Sequence, residues 1–213
     1  MDPREPLLLT VRALTSVIDS ADPLTRGRSL RIARYSVRAA EALGATGAEL
    51  TNIEMGALLH DLGRNAILHD VVTRPRPLDA GERAVVQTHP SIGWEMLKDI
   101  PGLEEVAEIV HTHHERPDGK GYPRALSMEQ IPMGARVIMV AAAYDAMTED
   151  RPYRRGLTPR QACEELRRNA DTQFFPEVVN AFVQLHDTGR LWEGFSKEEM
   201  DLYVRRSDLA SAA

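Results

Sequence analysis

His60 and Asp61 stand side by side at the end of an apolar stretch that closes with Ala57-Leu58-Leu59. An imidazole beside a carboxylate suits a hard divalent cation, because the carboxylate can also bridge to a second ion. A His-Asp dipeptide also arises as ordinary helix-end capping, so the pair decides nothing alone. His113-His114-Glu115 is a more specific cluster. Two neighbouring imidazoles can serve one cation, or two lying side by side; the bland alternative is a polar surface patch. The cluster runs into Asp118-Gly119-Lys120-Gly121-Tyr122-Pro123, whose glycines allow backbone to wrap closely around a ligand.

The elements that must position these residues read as helices. Leu7, Val11, Leu14 and Ile18 are spaced as one apolar face of a helix over 7–20, broken at Asp22-Pro23. Leu30, Ala33, Val37, Ala40 and Leu43 line a second, which stops near Gly44. Thr46 or Thr51 opens a third, rich in Met55, Ala57, Leu58 and Leu59 and ending around Gly63. Residues 64–78 read as loop. Asp79 and Glu82 have capping-box spacing and predict a helix running towards Lys98. Another is expected over 103–115, followed by a Gly/Pro-rich loop over 116–132 and a small-residue helix over 133–149. Thr158-Pro159 opens the next, with Pro at its first position, and a further helix begins near Pro176. Residues 196–213 are expected to be a tail with a short, fraying helix. The expected fold is all-α, one compact helical domain over 1–195.

Composition agrees with this reading. Aromatics are only 5% of the 213 residues, which favours helices over sheets. A net charge of −6 argues against a surface built to bind a nucleic acid polymer, while leaving room for a local basic pocket. The single cysteine, Cys163, cannot form an internal disulfide and reads as a small core residue, which suits a reducing cytoplasm. The first residues carry no basic leader before a long apolar run, and no run approaches the roughly 20 residues that span a bilayer, so no membrane partner is expected.

Taken in order, His-Asp, then His89 before Pro90, then His-His-Glu with Asp-Gly-x-Gly-Tyr-Pro, the chain closely resembles the HD-GYP family. The resemblance extends to Thr25-Arg26-Gly27, Arg34-Tyr35, Pro75 to Leu78, and Ile131-Pro132 to Arg136. Tyr144 to Thr148, Asp150 to Arg154 and Thr172 to Pro176 share it too, so that it covers roughly residues 8–187. It implies an HD-superfamily helical fold and hydrolysis of cyclic di-GMP with bound metals, Fe or Mn rather than Zn or Mg. By resemblance the metal ligands are His60, Asp61, His89, His113 and His114, with Asp61 and Arg64 at the catalytic centre. The same resemblance assigns Arg64, Tyr122, Arg151 and Arg154 to the substrate. Arginine keeps the charge expected at those positions and offers phosphate a bidentate fork. His69, His111 and His186 match no ligand position.

Three ligands that the resemblance leads one to expect are absent. Arg28 stands where the family has a histidine, Ala142 where it has an aspartate, and Leu24 where its three-metal members have a glutamate. The losses at 28 and 142 fall on one side, around the metal that His60 and Asp61 would share. Asp61, His89, His113 and His114 survive around the other, so one or two ions at reduced occupancy are expected. Arg28 adds a fixed positive charge there, available to face a phosphate but unable to activate water as a metal does. Asp145 is a candidate replacement ligand.

Two functions remain open. One is a cyclic di-GMP phosphodiesterase with reduced or altered activity, or one acting on a related phosphodiester. The other is a non-catalytic module that binds cyclic di-GMP or a protein, with the Gly-Tyr-Pro loop resembling the segment some relatives use to contact diguanylate cyclase domains. The resemblance leaves no residues in this chain for a sensor, so regulation through a separate partner is expected. Helical faces at 7–18 and 198–204 could pair two copies in a homodimer.

Overall fold

The computed structural model describes residues 4–21, 27–67, 78–150 and 155–195. Among these the architecture is all-α, and the only β pairing is an isolated bridge between Ala170 and Phe174. The helices in chain order are α1 (Glu5–Ala21), α2 (Arg28–Ala42), α3 (Gly47–Leu59), α4 (Ala80–Val86) and α5 (His89–Leu97). After them come α6 (Glu104–Thr112), α7 (Met133–Thr148), α8 (Pro159–Arg168) and α9 (Pro176–Asp187). Short 3-10 turns occupy Leu62–Ala66, Met128–Gln130 and Arg190–Trp192.

Local chemistry explains the starts. Asp79 accepts the Glu82 N–H and Glu82 returns the bond to the Asp79 N–H, the box that its sequence spacing predicts. Thr158 and Gln161 form the same reciprocal pair at the head of α8, with Pro159 at the first position. The helix expected to run from Asp79 to Lys98 is instead two. It stops at Val86 and restarts at His89, with Pro90 in its first turn. Proline lacks the N–H that a continuous helix would need there and disfavours a helical residue before it.

The core is built around α2, α3 and α7, with α6 and α9 against them. Ile32 and Ala39 of α2 meet Ile53 and Met55 of α3, Val106 and Val110 of α6, Ile138 and Tyr144 of α7, and Phe182 of α9, all buried. Each fully buried large aliphatic or aromatic side chain contributes about 1.5–3 kcal/mol through area removed from water. That cluster therefore fixes how the ends of α3 and α6 face each other.

The first helix differs from its expected orientation. Val11, Thr15 and Asp19 form the buried row, whereas Leu14 is 60% and Ile18 41% exposed. Rows four apart and mixed rows of three and four lie close together on a helix, and a polar residue that finds a buried partner decides between them. Asp19 has such a partner in Ser29. Cys163 is buried as expected, and burial pushes its thiol up to about 12, so it stays protonated and inert. Leu24, His69, Arg151, Arg154 and the tail from 196 lie outside the described residues, as do Thr25, Arg26 and Pro75 to Pro77.

Candidate metal centre

Three helix ends and one loop build the site. His60 and Asp61 follow the last turn of α3, His89 opens α5, and His113 and His114 close α6. Each of three imidazoles is anchored to its own helical turn through Nδ1. His60 Nδ1 lies 2.8 Å from Ala57 O, His89 Nδ1 2.8 Å from Val86 O, and His113 Nδ1 2.7 Å from Val110 O. A carbonyl only accepts, so each Nδ1 carries the proton and donates it, which leaves Nε2 as a lone pair.

Those lone pairs converge. His89 Nε2 is 3.3 Å from His113 Nε2 and 3.4 Å from Asp61 Oδ1, and one ring nitrogen each of His89, His113 and His114 lie within 4.8 Å of one another. Two acceptors facing each other at 3.3 Å with no proton between them repel, and a cation between them removes the repulsion. His60 Nε2, buried and without a hydrogen-bond partner, faces Asp61 Oδ2 at 3.3 Å. A buried polar nitrogen left unpaired costs about 1–3 kcal/mol unless something meets it. Neutral imidazoles plus a carboxylate are the donors that Fe or Mn accepts, and the Nδ1–carbonyl bonds are the outer support that metal-binding histidines ordinarily have. The residues therefore fit a divalent cation.

Electrostatics prepare the donors. Burial, then the neighbouring imidazoles, holds His113 well below the ordinary histidine range; burial and His89 bring His114 down to about 3. Burial also lowers His89, against an opposing pull from Asp61. Burial works to raise the Asp61 carboxyl, but the charge of Arg64 above all, with that of Arg28, holds it well below the usual carboxylate range. At neutral pH the site is three neutral rings around one anion.

The glycine-rich loop closes one side. Glu115 is fully buried and accepts the N–H groups of Arg124 at 2.7 Å and Leu126 at 3.0 Å, bending residues 116–126 back on the end of α6. Tyr122 N donates to His114 O, and its ring stacks on His114 with centroids 4.7 Å apart. A side chain at Gly121 would meet Arg116 N and Glu115 Cα at 2.4 Å, so the loop closes only over glycine. Burial, then the Asp61 charge, raises the Tyr122 phenol, which keeps it a hydrogen-bond donor.

The other side holds arginines. Arg64 donates to Asp61 Oδ2 at 3.0 Å. Arg28 opens α2; among the described residues its Nε is buried without a hydrogen-bond partner, and the nearest carboxylate oxygen, Asp145 Oδ2, is 3.9 Å away. Asp145 is no replacement ligand: it is 2% exposed and held by Arg31, whose Nε donates to Oδ1 at 2.6 Å. Arg31 also donates to Glu149 at 3.1 Å. Ala142 lies one turn before Asp145 on α7 and offers no donor. His111 stacks on Trp94 with centroids 5.0 Å apart, and His186 pairs with Asp187 at 3.0 Å, both away from the cluster.

Sequence reasoning missed the parts of Arg31, Glu115 and Asp19. Glu115 stood inside the His-His-Glu motif, which was the available signal. Arg31 and Asp145 are separated by 114 residues, and nothing local to either marks the pair.

A family model described as HD domain matches residues 12–178. The cyclic di-GMP phosphodiesterase of Thermotoga maritima is 33% identical over 204 residues, covering 95% of this chain and 53% of the relative. The cyclic di-GMP phosphodiesterase response regulator RpfG of Xanthomonas campestris is 36% identical, covering 82% of the chain and 47% of the relative. Among solved structures, a cyclic GMP-AMP specific phosphodiesterase of Vibrio cholerae superposes with a TM-score of 0.69 at 18% identity, over 97% of this chain and 57% of that one. An HD-GYP-type protein from Bdellovibrio bacteriovorus gives 0.62 at 20% identity, over 74% and 50%; at these identities the likeness is one of fold. The chain belongs to the HD domain family, and within it to the HD-GYP group. It spans about half the length of the curated relatives it matches.

Proposed function

We propose that this domain binds a cyclic dinucleotide, cyclic di-GMP in the first instance, and hydrolyses its phosphodiester slowly with one divalent cation, Fe or Mn. The observation that carries the reading is the convergence of the His89 and His113 lone pairs at 3.3 Å, each fixed from behind by a carbonyl of its own helix. Asp61, His89, His113 and His114 would hold the cation. A bound cation supplies charge to the non-bridging phosphate oxygens and a water of lowered pKa.

The chain's own groups do the rest. Asp61 stays anionic, tied to Arg64, and orients towards His89. Arg64 and Arg28 would bring fixed positive charge to the phosphate, whose oxygens a guanidinium fork matches in pairs. Tyr122, stacked on His114, keeps a phenolic proton to donate. Arg151 and Arg154 join the substrate set by family resemblance. With Arg28 in place of a second ion, phosphate is held but its water is less activated, so turnover falls below that of a two-metal site. The same arginine favours a second reading, a binding module without turnover, in which the Gly-Tyr-Pro loop would contact a diguanylate cyclase domain.

Turnover of cyclic di-GMP with added Mn(II) or Fe(II), compared with the Arg28→His/Ala142→Asp variant, tests the proposal. A slow, metal-dependent parent and a variant faster by about tenfold or more are expected, each factor of ten being about 1.4 kcal/mol of barrier. Equal rates would mean that the missing ligands are irrelevant. No turnover by the parent, with gain only in the variant, would leave the binding module.

A further inference from the structure

Arg28 has only a loose ion pair of its own among the described residues. Its Nε has no hydrogen-bond partner among the described residues, and the nearest carboxylate stands 3.9 Å off. A cation at the first position of a helix also faces the positive end of the helix dipole. The helix it opens has no cap of its own: Gly27 occupies the cap position at φ 71° and has no side chain to offer.

Another helix supplies the cap. Asp19, in the last turn of α1, accepts the Ser29 N–H through Oδ2 at 3.0 Å and the Ser29 hydroxyl through Oδ1 at 2.9 Å. Both oxygens go to the residue that follows Arg28. Asp19 and Ser29 are buried, at 7% and 9% exposure. A carboxylate in the last turn of its own helix is disfavoured by that dipole, whereas beside the first turn of α2 its charge is favourable. Its location makes physical sense through α2. One turn further on, Arg31 is pinned to Asp145, which fixes the body of the helix but leaves the first turn to fray on its own.

Resting on the reading that Arg28 takes the phosphate, we infer that Asp19 is a positioning residue for Arg28. It acts across the α1–α2 contact by clamping Ser29, so that the α2 first turn presents the guanidinium to the site. It follows that displacing α1 would loosen phosphate binding without touching the histidines, since the cation donors sit on α3, α5 and α6.

A double-mutant cycle tests this on the Mn(II)-loaded whole chain, with a phosphorothioate analogue of cyclic di-GMP as the probe. Arg28→Ala and Asp19→Ala are each expected to weaken affinity by about tenfold. In the Arg28→Ala background, Asp19→Ala should change it by less than about twofold, because the two act as a unit. Asp19→Asn keeps an acceptor for the Ser29 amide and should recover to within about threefold of the parent. Mn(II) affinity should stay within about twofold in the Asp19 variants, whose side chain is remote from the cation donors. Should Asp19→Ala fail to fold, Ser29→Ala, which removes the hydroxyl half of the clamp, runs the same cycle against Arg28→Ala. An additive loss in both backgrounds, or no loss from Asp19→Ala while Arg28→Ala weakens binding, overturns the positioning role and leaves the Arg28 reading standing. No effect of Arg28→Ala, or no binding by the parent, overturns both.

Discussion

His113 shows what burial does to a ligand before any ion arrives. Its Nδ1 proton goes to Val110 O, and its Nε2 faces His89 across 3.3 Å. His89, His113 and His114 are all lowered from an ordinary value of 6.5. Below about 6.5 the unfolded chain takes up protons that the folded site refuses, so stability is complete above that pH and is lost as pH falls. The metal-free chain should lose stability progressively as pH falls below about 6.5, more steeply than it would with any one of these histidines replaced. Denaturant melts between pH 8 and 5 check it, and a flat profile would contradict it. At this scale His60-Asp61 and His113-His114 were legible because adjacency in sequence guarantees adjacency in space. His89 was legible through family resemblance alone. The clamp of Asp19 on Ser29 was not legible, since neither residue's neighbours signal that α1 and α2 meet there.

At the scale of elements, the site depends on how closely the turn after α3 approaches α5. A Cβ on Gly63 would lie 2.1 Å from His89 O and 2.7 Å from Gly93 N. Neither backbone can yield without moving α5, and with it the 3.4 Å approach of His89 to Asp61. Gly63→Ala should therefore cost roughly 3 kcal/mol or more of stability and weaken Mn(II) binding together, read by denaturant unfolding and Mn(II) titration. A stable variant with parental Mn(II) affinity would refute the packing argument. Helix identity was largely written in the sequence: caps at Asp79 and Thr158 and the 133–149 run needed no tertiary information. The break between α4 and α5 could be read from Pro90, but a capping box followed by apolar residues concealed it. The face of α1 was not readable, because Leu14 and Ile18 fit an apolar row as well as Val11 does, and the partner of Asp19 decided the matter.

For the whole molecule, helices α3, α5 and α6 bring three neutral rings and one carboxylate to a point, and His60 Nε2 beside them is buried with no hydrogen-bond partner among the described residues. Such an arrangement gains from a cation. At a Mn(II) concentration 100 times its Kd the folded chain should be stabilised by about 2.7 kcal/mol, raising Tm by roughly 5–10 °C for a chain of this size, and EDTA should reverse the shift. None of the described helices is long and apolar enough to cross a membrane. On the proposed reading, one side of the centre keeps a cation site while a guanidinium holds the other. Elemental analysis of the Mn(II)-loaded chain after desalting, read beside its electron paramagnetic resonance spectrum, tests that claim most directly. The expected result is one isolated Mn(II) per chain, abolished by His113→Ala. Two ions per chain with the spectrum of a coupled pair would contradict it.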